Sequence, residues 1–139
     1  MIEMEGSYIT KNLLGGDKSL NFRTYIRMRD EYLANAEKFI AKGELRNASE
    51  MLWGAIIQVV KAIAAKRDIR LETHRQLILF VRELARELRD EKLYEDFLIA
   101  RQLHVNFYDE VLDPVDFEII AKRVYTLLKR LNEVLSKIH

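Results

Sequence analysis

Polar and apolar positions repeat with the period of a helix along most of this chain, and one stretch has no polar face at all. From Met51 to Ala65, MLWGAIIQVVKAIAA, only Gln58 and Lys61 are polar, and apolar side chains go all the way round. A helix without a wet face must be buried on several sides. The run is shorter than the about 20 apolar residues that a bilayer span needs. It is therefore expected to be the central helix of a bundle or part of a subunit contact, with no membrane partner.

Amphipathic helices surround it in sequence. The first, about 20–42, turns Phe22, Ile26, Leu33, Ala36 and Ile40 to one side, and Gly43 suits its end. The central helix runs about 44–66. Thr73 and Gln76 have the spacing of a capping box, so a third helix should start at His74, with Leu77, Phe80, Val81, Leu84 and Leu88 facing inward. Arg86 to Leu93 contains no Gly or Pro, and Asp90 is the expected cap of a fourth helix. That helix repeats at Leu93, Phe97, Ala100, His104, Phe107 and Val111. Asp113-Pro114 opens a fifth, with a seam of Phe117, Ile120, Val124, Leu127, Leu131, Val134 and Ile138. Leu128 and Leu135 widen this seam beyond a two-stranded coiled coil and favour a bundle helix. The expected fold is all-α, an up-and-down antiparallel bundle of about five helices over residues 19–139. Residues 1–18 lack a helical period, Gly15-Gly16 breaks them, and they read as a flexible or extended arm that could pack on a partner subunit.

Composition narrows the setting. A chain of 139 residues is one domain with room for a core. One proline, five glycines, 32% charged residues and no cysteine suit a compact protein of the cytoplasm that uses neither disulfides nor thiolate metal sites. The first residues carry two glutamates and no long apolar stretch, so no secretory leader is expected. Abundant Glu, Lys and Arg lean toward a thermophile. The net charge of +1 argues against nucleic-acid binding by bulk charge and leaves a local basic patch open.

The candidate chemistry is polar and clustered. If successive helices are antiparallel, the end of the second, the start of the third, the end of the fourth and the start of the fifth share one pole. Lys61, Arg67, Arg70, His74, Arg75, Arg101, His104, Asn106 and Tyr108 would gather there, beside helix N-termini that attract anions. Lys66, Arg67 and Arg70 can equally be a solvated loop. His104 interrupts an apolar seam, three residues after Arg101 and one turn before Tyr108. It is either a bonded core residue or the acid/base of a phosphate site. Lys61 either snorkels its amine outward or is held inside for a ligand. Lys61, Arg70, His74 and Asn106 are the candidate ligand contacts; His104, Arg101 and Tyr108 are the catalytic candidates. Trp53 and Gly54 read as packing, a large anchor and a gap for a close helix. Glu91, Glu95 and Asp96 read as surface charges near a helix start. No HExxH or i, i+4 histidine pair is present, so no metal is expected; no thiol nucleophile, GxSxG or phosphate-binding glycine loop is present either, and no cofactor is implied.

Ala36, Gly43-Glu44, Ala48, Gly54-Ala55, Lys61-Ala62, Thr73-His74 and Leu77 resemble the HEPN superfamily of small helical domains. Leu103-His104-Val105-Asn106-Phe107-Tyr108, with Ser49-Glu50 and Trp53-Gly54-Ala55, is similar to the archaeal PaREP family within it. The match covers roughly residues 30–110, and the LHxNFY string is its most specific part. The resemblance implies an up-and-down bundle, commonly a homodimer, in an archaeal cytoplasmic protein whose family has no settled function. Many HEPN relatives are ribonucleases with an Arg, four to six intervening residues, then His; others are non-catalytic partners of nucleotidyltransferases. His104 matches the histidine, but Arg101 is too close, and Phe97 to Ile99 are apolar where the arginine would stand. Arg67 and His74 have the right separation but span a loop and another helix, which makes that fit accidental. The leading expectation is a homodimeric interaction module that can bind nucleic acid or nucleotide and is not an enzyme. A metal-independent ribonuclease using His104, with Arg101 or Lys61 on phosphate, is the first alternative. A purely structural subunit pairing through its second or fifth helix, or with another protein, is the second.

Overall fold

A computed structural model describes the backbone of residues 18–109 and 113–138, and the side chains of 22–105 and 113–138. Within them the protein is all-helical: α1 (Lys18–Ala41), α2 (Leu45–Lys66), α3 (His74–Glu87), α4 (Glu91–Asp109) and α5 (Pro114–Ser136). The expected N-terminal arm falls almost wholly outside the described residues, as do the side chains of Phe107 and Val111.

α2 is the hub. It packs on α1, α3, α4 and α5, and Leu52 to Ala64 are all buried. By length and composition α2 could cross a membrane, but 89% of its most apolar stretch is buried inside the protein. Buried Ser49 donates its hydroxyl back to the carbonyl of Leu45 at 2.7 Å. α1 approaches closely where α2 has no side chain: a Cβ on Gly54 would lie 2.6 Å from the Tyr32 ring. The expected gap at Gly54 is therefore filled by Tyr32. Along α1, Tyr25 and Ala36 are buried, whereas Phe22, Ile26, Leu33 and Ile40 are half-buried.

The helix starts follow the local chemistry. Thr73 Oγ1 accepts from Gln76 N at 3.1 Å and Gln76 Oε1 accepts from Thr73 N at 3.2 Å, closing the capping box that opens α3. Asp113 Oδ1 accepts from Asp116 N at 3.0 Å, with Pro114 in the first turn of α5. Asp90 Oδ1 accepts from Leu93 N at 3.3 Å at the start of α4.

The helix ends are less obvious in sequence. α1, α2 and α3 all finish in the same way, with a left-handed residue and paired backbone bonds reaching back into the last turn. Gly43 (φ 73°) serves α1, but Asp68 (φ 63°) serves α2 and Arg89 (φ 53°) serves α3. A side chain in this region is strained relative to glycine. Arg89→Gly is therefore expected to stabilise the fold by about 0.5–1 kcal/mol, read as a rise of roughly 2–4 °C in the thermal midpoint. No rise would mean that the arginine side chain compensates its own backbone. Leu88, expected inward, sits at the end of α3 where the chain leaves the helix, and is 45% exposed.

The largest departure from expectation lies between α2 and α3. Arg67, just past α2, pairs with Glu87 at the last turn of α3 at 2.8 Å, while His74 at the first turn of α3 stacks on His104. His104 in turn bonds Glu50, near the start of α2. α3 therefore runs in the same sense as α2, and residues 69–72 return beside it as an extended segment with Leu71 buried. Residues 69–73, past the turn at Asp68, reach about 17 Å, most of the length of α3. The ends of α2 and α3 share a pole, so the single polar pole expected from simple alternation does not form. α4 runs against α2, and against α5, where Asp96 of α4 meets Arg123 and Arg130.

Candidate functional site

Three helices bring one polar cluster together. Glu50 enters from the second turn of α2, on the same face as Trp53 and Ile57, the face that packs into the core. It is 7% exposed. His104 comes from α4 and is half-buried; its Nδ1 lies 3.0 Å from Glu50 Oε2. His74, the first residue of α3, stacks on the His104 ring with centroids 5.8 Å apart and planes 28° apart. Trp53 closes the inner side, 6.0 Å from His104 and 5.4 Å from Phe97 between ring centroids. Its indole Nε1 is buried without a hydrogen-bond partner.

The chemistry of this group follows from its donors. With an ionised carboxylate as partner, which can only accept, Nδ1 of His104 is the donor of this bond. A carboxylate behind an imidazole fixes the tautomer and steadies the ring when it gains a proton. A second imidazole stacked beside it places two proton-exchanging groups at one spot, partly open to solvent. Among the described residues, no three His, Asp or Glu side chains converge as metal ligands; the stacked rings face each other instead of a common point.

His74 and His104, the two histidine candidates, do meet. Arg101, on the same helix as His104, is exposed. Lys61 is not at the cluster. It lies eleven residues beyond Glu50 on α2, about 16 Å along the axis, and is 3% exposed, so its amine is held inside and does not snorkel. Arg70 lies in the extended segment and lines a groove along α3 with Arg67, Leu79 and Glu83. Arg67 pairs with Glu87 at the far end of α3 from His74. The side chains of Asn106 and Tyr108 are outside the described residues.

Glu50 is the functional candidate that sequence reasoning placed only within a resemblance. A carboxylate at i, with Trp at i+3 and Ile at i+7 on a helix otherwise apolar on that side, was the available signal. A buried acid there requires a partner, and His104 supplies it. Asp96, expected as a surface charge, is 2% exposed and takes Arg123 at 3.3 Å and Arg130 at 3.1 Å. Glu91 and Glu95 remain at the surface.

Neither a curated protein nor a solved structure matches the chain. A family model does, over residues 24–128, which include all of α2, α3 and α4 and every residue of the Glu50, His74 and His104 cluster. By that match the chain belongs to the archaeal PaREP1/PaREP8 family.

Proposed function

We propose that this protein is a HEPN-like helical interaction module that works as a homodimer and binds RNA at the Glu50, His104 and His74 cluster. The observation that carries the reading is the carboxylate-held His104 stacked on a second, partly open imidazole. Protonated, such a pair binds phosphate; neutral, it stacks with bases. Exposed Arg101, one turn from His104, adds a fixed cation on the same helix. For a second copy, α5 offers Val115 and Ile119, one turn apart and 66% and 57% exposed, an apolar strip of the sort that association covers.

A second reading, metal-independent RNA cleavage, is favoured by the Glu50 to His104 bond itself. Nε2 would take the 2′-hydroxyl proton as general base, and His74 would protonate the leaving oxygen. Glu50 orients the His104 ring, and Arg101 alone remains of the two cations considered for phosphate, because Lys61 is buried about 16 Å away.

One experiment tests both. A labelled RNA mixture is incubated in EDTA with the wild-type chain and with His104→Ala, and binding is followed at two salt concentrations. RNA should bind with an affinity that falls as salt rises and drops about tenfold in the variant, the order of one charge-assisted bond. Cleavage lost in His104→Ala would establish the ribonuclease. Salt-insensitive or absent binding by a folded wild-type protein would reject the RNA site and leave a structural subunit.

A further inference from the structure

The turn from α3 to α4 borders an open surface pocket of about 690 Å³, lined on the α3 side by the exposed Arg82, Arg86 and Arg89, and on the α4 side by Glu91, Tyr94 and Glu95. Its size falls among small-molecule pockets, about 300–1,000 Å³. The opposite charges face one another and yet do not pair: among the described residues Arg82, Arg89, Glu91 and Glu95 have no ion pair, and Arg86 has only an exposed contact with Glu83 at 3.6 Å. Arg89 carries a second signal. It occupies a left-handed backbone position (φ 53°) that glycine would fill without strain, and an outlier kept at the wall of a pocket points to use of its side chain.

We propose that this pocket binds a sugar phosphate. The arginines suit the phosphate, because planar guanidinium groups bond its oxygens in pairs. A simple anion would gain from that wall and be repelled by Glu91 and Glu95. The ligand that profits from both walls has an anionic end and a second end rich in hydrogen-bond donors, and two acceptor-only carboxylates match the hydroxyl groups of a sugar. Tyr94, half-buried between them, gives the apolar face of the ring a platform. This site is separate from the histidine cluster: Arg82 is eight residues, about 12 Å, along α3 from His74.

Calorimetric titration of the full chain with ribose 5-phosphate and glucose 6-phosphate tests the assignment, with inorganic phosphate, ribose and AMP as controls. At least one sugar phosphate should bind saturably, with phosphate and ribose each about tenfold weaker or worse. Arg82→Ala with Arg86→Ala should remove binding while helix content by circular dichroism stays unchanged. Arg89→Gly should weaken binding about tenfold even though it stabilises the fold, a combination that a structural role for Arg89 would not give. His104→Ala should leave sugar-phosphate binding intact. Absence of saturable binding at millimolar ligand, indifference to the arginine substitutions, or tighter binding of AMP than of either sugar phosphate would overturn the proposal.

Discussion

Trp53→Ala is expected to cost about 3–5 kcal/mol, the range for emptying a large aromatic site in a close-packed core. Trp53 is 2% exposed and sits between Phe97 and His104, so its loss removes the wall against which the His104 ring is held as well as core volume. Trp53→Phe separates two effects. It keeps an aromatic ring against Phe97 and deletes the indole N–H that is buried without a partner. Leaving such a donor unsatisfied costs about 1–3 kcal/mol, so its removal offsets the smaller ring, and the variant should lie within about 1 kcal/mol of wild type. Urea unfolding followed by circular dichroism at 222 nm measures both without relying on the fluorescence of the residue being changed. If the phenylalanine variant loses as much as the alanine one, the indole N–H has a partner, such as a bound water, and the inner wall of the site is polar.

Much of the architecture was legible because it is written in local chemistry. The all-round apolar run of α2, the Thr73 to Gln76 box, Asp113-Pro114 and Gly43 each act within a few residues of themselves, and the helices begin and end there. What stayed hidden depends on contacts distant in sequence. Arg89 ends α3 from a left-handed position that favours glycine, so no composition signal marks that turn. The parallel course of α2 and α3 depends on residues 69–72 being extended and on Leu71 finding a buried place, which no periodicity encodes. His104 was visible as a polar break in a seam. Its partner Glu50 is 54 residues away, and the reversal of the α2 to α3 geometry is what separated Lys61 from His74 and His104.

The position of α4, and with it His104, depends on a second buried acid, and Arg130→Met should expose that dependence. Asp96 is 2% exposed, and its two oxygens accept from Arg123 and Arg130 of α5; Arg130 also pairs with Asp90, the cap of α4. Arg123 is half-exposed and can turn to solvent, whereas the side chain of Arg130 is 22% exposed. Removing Arg130 leaves a buried carboxylate with only its weaker partner, a change that costs about 3–5 kcal/mol in other buried pairs. The size of that loss is not what the pair adds to stability. Much of it is the penalty of an uncompensated charge, so removing the charge as well should restore the fold. Asp96→Leu combined with Arg130→Met is expected to recover to within about 1–2 kcal/mol of wild type, measured by urea unfolding of the two single variants, the double variant and wild type. Recovery would mean that the pair fixes the register of α4 on α5 at little net gain in stability. If the double variant is as unstable as Arg130→Met, the cost lies in lost packing of the long arginine stem and its tie to the α4 cap, and the charge of Asp96 is incidental to it.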